Sequence, residues 1–195
     1  MAKAGWAKLT ATVSMAALLG VAMVTAPAQA ADDPSLISLS VGMYDQHVVD
    51  PGIIFLKGSS DHRWEAVDYR GEYRFGKSLL PMLEPYAKLK PWVGFEGTSD
   101  GAIYGLGGIL FDIPLGPIVF TPSFGAGLYS SGGGKNLGAP VEFRTMIEVG
   151  YQFDNASRFS LGYSHISNAG ITQLNPGANM ISVYYHLPAN LLFGN

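Results

Sequence analysis

The chain has 195 residues, a formal net charge of −3 and no cysteine. Only 14% of its residues are charged, whereas 12% are aromatic and 25 are glycine. An acidic balance argues against nucleic acid as a partner, and without Cys there is neither a disulfide nor a lipoprotein anchor.

Residues 1–30 read as a cleaved signal peptide. Lys3 and Lys8 form a positive start, residues 9–24 an Ala-rich apolar stretch, and Ala28-Gln29-Ala30 a small-x-small cleavage site. Cleavage leaves residues 31–195 as one domain of 165 residues, with 10 basic and 15 acidic side chains and a net charge of −5. No mature segment offers the ~20 continuous apolar residues of a membrane helix. A lipid-compatible composition without such helices points to a β-barrel.

Eight segments alternate with turn residues. The first, residues 36–46, sets Ile37, Leu39, Val41 and Met43 against Ser38, Ser40, Gly42 and Tyr44. Asp50-Pro51-Gly52 and Ser59-Ser60-Asp61 mark loops. Residues 63–75 place Val67, Tyr69, Tyr73 and Phe75 opposite Asp68, Arg70, Glu72 and Arg74. Residues 85–95 place Ala87, Leu89, Val93 and Phe95 opposite Lys88, Lys90, Trp92 and Gly94. Residues 101–113 are Gly-rich, with indistinct faces. Residues 118–129 follow, then a glycine-rich loop at 130–138. In residues 142–153, Phe143, Ile147, Val149, Tyr151 and Phe153 oppose Glu142, Arg144, Glu148 and Gln152. Asp154-Asn155 is a short turn, and residues 158–167 and 179–187 complete the set.

In a soluble sandwich the charged faces of such strands would meet water. In an eight-stranded antiparallel up-and-down transmembrane β-barrel they fill a narrow polar interior, and the apolar faces meet lipid. Segments of about 10–12 residues match the ~9–11 needed to cross a bilayer at a tilt, whereas strands of soluble domains cluster near ~5–6. The membrane barrel is the expected fold. One feature departs from it: such barrels commonly end on an aromatic residue, and here Gly194 and Asn195 follow Phe193.

The stretch 160–179, SLGYSHISNAGITQLNPGAN, carries the chemistry. A two-residue period puts Phe159, Leu161, Tyr163, His165 and Ser167 on one strand face. A Ser hydroxyl becomes a nucleophile when an adjacent base takes its proton, and a positioned His does this near neutral pH. On a lipid-facing wall the pair His165 and Ser167 is open to a lipidic substrate. His-x-Ser alone is weak, and its plainer reading is a polar pair at the interfacial end of a strand. His47 and His62 fall in expected loops without metal-ligand spacing, and His186 faces inward. Neither a zinc nor a calcium signature is present, so no metal and no cofactor is expected.

His165-Ile166-Ser167-Asn168-Ala169-Gly170 and Asn175-Pro176-Gly177-Ala178-Asn179 resemble segments of the lipid A 3-O-deacylases, the PagL family of outer-membrane barrels. The run from Lys90 to Ser99 and Glu142-Phe143-Arg144 are similar to further family segments, and the resemblance spans about residues 36–188. It implies an eight-stranded barrel in the bacterial outer membrane, reached after signal-peptide-directed export, with His and Ser on its outer wall near the outer leaflet. It also implies removal of the ester-linked fatty acid at position 3 of lipid A. Ser167 then matches the nucleophile and His165 the base. The family's orienting Glu falls on Asn179, which can accept a hydrogen bond from His Nδ1 but cannot stabilise imidazolium by charge. No Asp or Glu follows Asp154, so neither of the last two strands supplies a substitute.

Asn168 and Asn175 are candidate oxyanion or substrate-positioning donors. Their plainer role is turn formation in Asn-Ala-Gly and Asn-Pro-Gly. The expected partners are lipid A within lipopolysaccharide and outer-membrane lipids, with no nucleic acid. A homodimer is among the oligomeric states left open. Two other readings stand beside the deacylase: a non-catalytic structural or adhesive barrel, and a phospholipid acyl hydrolase.

Overall fold

The computed structural model describes residues 33–45, 66–84 and 86–193. The expected signal peptide, the loop marks at 50–52 and 59–61, His47, His62, Gly194 and Asn195 lie outside these residues, as do the ends of the first two expected strands.

Eight strands form: β1 Leu36–Tyr44, β2 Ala66–Arg74, β3 Lys88–Thr98, β4 Ile103–Leu115, β5 Ile118–Ser130, β6 Val141–Gln152, β7 Arg158–Ser167 and β8 Ala178–Pro188. Each pairs antiparallel with the next, and β1 closes on β8 from Leu36↔Pro188 to Met43↔Ile181. Closure removes every sheet edge, the condition under which strands can cross lipid with their backbone groups satisfied. The strands run 9 to 13 residues, the span expected for a tilted crossing.

The connections 99–102, 131–140 and 168–177, after β3, β5 and β7, gather at one end. Connections after even-numbered strands gather at the other, down to the two-residue turn Gly116-Pro117, where Gly116 takes φ +68°. The sequence did not indicate two short elements at this second end. They are a 3₁₀ turn at Pro81–Leu83 and the helix α1, Ala189–Phe193, which follows β8. No helix among the described residues is long and apolar enough to cross a membrane.

Burial is inverted relative to a water-soluble sandwich. Leu39, Tyr69, Val93, Phe124, Val149 and Leu161 are exposed, Leu161 by 58%, while Asp68, Arg70, Glu72, Arg74, Glu96, Arg144 and Glu148 are buried. Unpaired, such charges would cost several kcal/mol each in a water-poor interior. They are paired in a chain. Arg70 bridges Asp68 and Glu96, at 2.7 and 2.9 Å. Arg144 reaches Glu72 at 2.5 Å and Glu96 at 3.7 Å. Arg74 bridges Glu72 and Glu148, at 2.9 and 2.8 Å. Glu148 in turn contacts His186 at 3.0 Å. Toward the turn end Asp112 pairs with Arg158 and Lys90, and Lys90 and Lys88 both hold Asp33. The expected inward charged faces, His186 included, are therefore an ion-pair network, apart from Glu142, whose buried carboxylate has no side-chain partner among the described residues.

Toward the loop end the filling becomes apolar: Tyr44, Tyr104, Leu106, Tyr129, Leu137, Ile166, Ala178 and Met180 are buried together. Tyr44 and Tyr129 join hydroxyls at 3.1 Å. Between plug and network lies Trp92, with the Arg144 guanidinium 4.4 Å from its ring centroid. Gly125 makes room for that indole, since a Cβ there would lie 2.6 Å from Trp92 Cζ2. An eight-stranded barrel filled in this way is a solid pillar in the membrane. Its outer surface is what meets the surroundings.

Candidate functional site

β7 carries Phe159, Leu161, Tyr163, His165 and Ser167 outward, with Ser160, Gly162, Ser164 and Ile166 buried between them. His165 and Ser167 thus lie on the lipid-facing wall at the loop end. They are only partly exposed, unlike the freely exposed residues further down the strand. Register sets Phe143 of β6 beside Ser167, Thr145 beside His165, and Asn179 of β8 on the other side of His165.

Asn179 is oriented toward the imidazole: its Oδ1 lies 2.8 Å from His165 Nδ1. An acceptor there holds the proton on Nδ1 and leaves the Nε2 lone pair free. The same Oδ1 accepts a second hydrogen bond, from the Tyr163 hydroxyl at 3.0 Å. Sequence alone did not connect Tyr163 with Asn179. The signal was present in its place two residues before His165 on the same face, but it needs the β7–β8 register to be read.

The connection 168–177 folds back over this end of the wall. Ala169, Gly170 and Gly177 take left-handed φ values of +54°, +82° and +63°. Gly177 lies against the imidazole, where an added Cβ would come within 2.8 Å of His165 Cε1 and 3.3 Å of Nε2. Its lack of a side chain serves the ring as well as the turn.

The two asparagines of this connection take different places. Asn168 is fully buried, and its amide nitrogen contacts Leu137 O, Thr172 Oγ1 and Leu174 O at 3.0, 2.9 and 2.8 Å. Its Oδ1 accepts from Gly170 N–H. The side chain ties the connection 168–177 to the neighbouring one after β5. Asn175 is exposed, and its Oδ1 accepts from the Asn168 backbone N–H at 3.1 Å, so its NH₂ remains available as a donor.

His165 and Asn179 come together, and Ser167 lies two residues further along the same face with no side-chain hydrogen bond to His165 among the described residues, with Asn175 in the overlying connection and Asn168 buried beneath it. A surface depression of about 500 Å³, lined by Phe153, Asp154, Asn155, Ser157 and Tyr185, lies at the opposite end and does not include these groups. No cluster of metal-ligating side chains occurs among the described residues.

Comparison with known proteins bears on the family and the fold. Over 51 residues the chain is 37% identical to the lipid A deacylase PagL of Bordetella bronchiseptica, a match covering 26% of this chain and 29% of that protein. Over 56 residues it is 36% identical to the lipid A deacylase PagL of Pseudomonas aeruginosa, covering 29% and 32%. The chain therefore spans about a third of the length of these relatives. The crystal structure of the outer membrane enzyme PagL superposes with a TM-score of 0.57 at 20% identity, covering 78% of this chain and 99% of that one, and so shares the fold. The family model for lipid A 3-O-deacylase (PagL) matches residues 89–188, which is 100 of the 195 residues and takes in β3 through β8 with His165, Ser167 and Asn179, and the chain belongs to that family.

Proposed function

We propose that this barrel resides in the bacterial outer membrane and hydrolyses the 3-O-linked acyl ester of lipid A, with Ser167 as nucleophile, His165 as general base and Asn179 holding the imidazole. The observation that carries the reading is the 2.8 Å contact from His165 Nδ1 to Asn179 Oδ1, on the lipid-facing wall and two residues from Ser167. Family membership supplies the substrate class.

In the first half-reaction His165 Nε2 takes the Ser167 proton as Oγ attacks the ester carbonyl. Across two residues of a strand the side-chain origins are roughly 7 Å apart, a gap that an imidazole bent along the strand can close when the substrate is engaged. Collapse of the tetrahedral intermediate breaks the bond to the sugar oxygen, and the imidazolium returns the proton to that alkoxide. Water, activated by the same imidazole, then releases the 3-hydroxy fatty acid and restores Ser167. The exposed Asn175 NH₂ is the side-chain donor on hand for the oxyanion. Asn168, with its amide engaged, supports it by fixing Asn175 through the backbone N–H. The membrane delivers the ester laterally, so the site needs no cleft.

Asn179, where the family's carboxylate is expected, favours a second reading: a barrel that has kept the architecture with little or no catalysis. Mass spectrometry of lipid A incubated with the refolded barrel and with Ser167→Ala separates the two. Loss of one 3-hydroxyacyl group with the wild type alone supports the deacylase. Equal loss with both proteins moves the nucleophile elsewhere, and no loss with either favours the scaffold. Fatty acid released from phospholipid vesicles free of lipopolysaccharide would instead indicate a phospholipid acyl hydrolase.

A further inference from the structure

A carboxylate and an amide are unequal holders of a histidine. Either oxygen of a carboxylate accepts the Nδ1 proton, so rotation about its last bond changes nothing. An amide has one oxygen and one NH₂ group. With oxygen toward the ring, Nδ1 carries the proton and Nε2 is basic. With NH₂ toward the ring, Nδ1 must accept, the proton moves to Nε2, and the imidazole faces Ser167 as a donor with no lone pair to offer. A family member with Asn at 179 therefore needs something that fixes the amide.

The wall supplies it in Tyr163. The residue sits one step deeper on the same face of β7, between Ile147 of β6 and Ile181 of β8, both apolar. Its hydroxyl lies 3.0 Å from Asn179 Oδ1, the atom that faces His165 Nδ1, and makes no other hydrogen bond among the described residues. The phenol lone pair is delocalised into the ring, so a phenol donates better than it accepts, and the amide oxygen is the matching acceptor. On an apolar wall an O–H proton without a partner is costly. Turning the amide would put NH₂ against both neighbours and strand that proton. We infer that Tyr163 is a positioning residue that holds the Asn179 carbonyl toward His165 and so keeps the base in its active tautomer, compensating for the missing carboxylate. The inference rests on the deacylase reading for its catalytic meaning, because it treats His165 as the base.

The test compares wild type, Tyr163→Phe, Asn179→Glu and the double variant as refolded full-length barrels, each checked for β-sheet circular dichroism. Ring ¹⁵N shifts of labelled histidine report the tautomer, with His165 assigned by its loss in His165→Ala, and lipid A deacylation is followed alongside. Tyr163→Phe is expected to shift His165 partly to the Nε2–H form and to lower kcat about 3- to 10-fold, the worth of one neutral hydrogen bond, with KM unchanged. In the Asn179→Glu background the same change should leave the tautomer alone. An unchanged tautomer in Tyr163→Phe overturns the inference, and so does an equal tautomer shift in both backgrounds. A wild type that leaves lipid A intact overturns the deacylase reading instead, while the ¹⁵N shifts still decide what Tyr163 does to the ring.

Discussion

His165 and Asn179 are direct cross-strand partners in the β7–β8 register, and their side chains meet at 2.8 Å on the outer face of the barrel. The strand pairing that closes the wall thus also sets the imidazole. The chemistry of residue 179 becomes the natural variable to change.

Asn179→Glu is expected to raise kcat. A carboxylate offers His165 the same geometry with charge, and hydrogen bonds to charged groups exceed neutral ones by about 1 kcal/mol or more, enough for roughly 5- to 10-fold. Asn179→Leu removes the acceptor and should lower kcat by at least as much. Release of 3-hydroxy fatty acid under single-turnover conditions decides. Equal rates for all three proteins would show that residue 179 does not act on the base.

Gly177 and Gly170 form an internal comparison. Both have positive φ, so alanine at either strains the backbone by about 1–2 kcal/mol. Only at 177 does the new methyl meet His165, since nothing lies within 4 Å of a Cβ at Gly170. Both variants should lose stability on denaturant titration, Gly177→Ala the more because its methyl also crowds His165 and the Ile166 carbonyl, and Gly177→Ala should lose far more activity. Matched activities would mean that the ring yields to the methyl at no cost to the reaction.

Arg144 touches Glu72 and Glu96 and covers Trp92. Arg144→Ala leaves Glu72 to Arg74 and Glu96 to Arg70, the interior one positive charge short and the Trp92 ring uncovered, a loss expected at about 3–5 kcal/mol. Unfolding in guanidinium should move to lower midpoint, whereas Leu161→Ala on the lipid wall should be mild in the same assay. A small effect at Arg144 would mean that water enters and screens the network.

Asp33 precedes β1 and ties the N-terminal segment to Lys88 and Lys90 of β3. Burial raises its carboxyl, but the neighbouring Lys90 and Lys88 ammonium groups outweigh that and leave it below the usual 3.8. A carboxyl depressed by folding adds stability that is present above its unfolded value. That stability fades as pH falls through the folded one, so the loss belongs below about pH 4. Asp33→Asn should flatten the acid limb of a stability-against-pH curve and leave it unchanged near neutrality. An identical acid limb in the variant would assign it to the interior carboxylates.

The strand that carries the site was the most legible element. β7 spans 158–167 as its alternation indicates, because nothing breaks the period between Arg158 and Ser167. The inward charges of β2, β3 and β6 were readable for the same reason. β4 was not, since Tyr104, Leu106 and Leu110 fill the interior with side chains as apolar as those facing lipid, which erases the contrast. The 3₁₀ turn and α1 are too short to show a period. At the site, residue types and spacing along one strand pointed to His165 and Ser167. What lay between strands was hidden: the burial of Asn168 beneath two connections, Gly177 against the imidazole, and Tyr163 sharing an acceptor with His165.

On the proposed reaction, a pillar packed solid with ion pairs and tyrosines, with His165 and Ser167 on the outside, meets its ester in two dimensions. The concentration that governs its rate is then the fraction of lipid A among the lipids around the wall, not the amount per volume of solution. Diluting lipid A with inert detergent at constant bulk concentration should slow the reaction in proportion. Diluting the whole suspension with buffer should leave the turnover of each barrel unchanged.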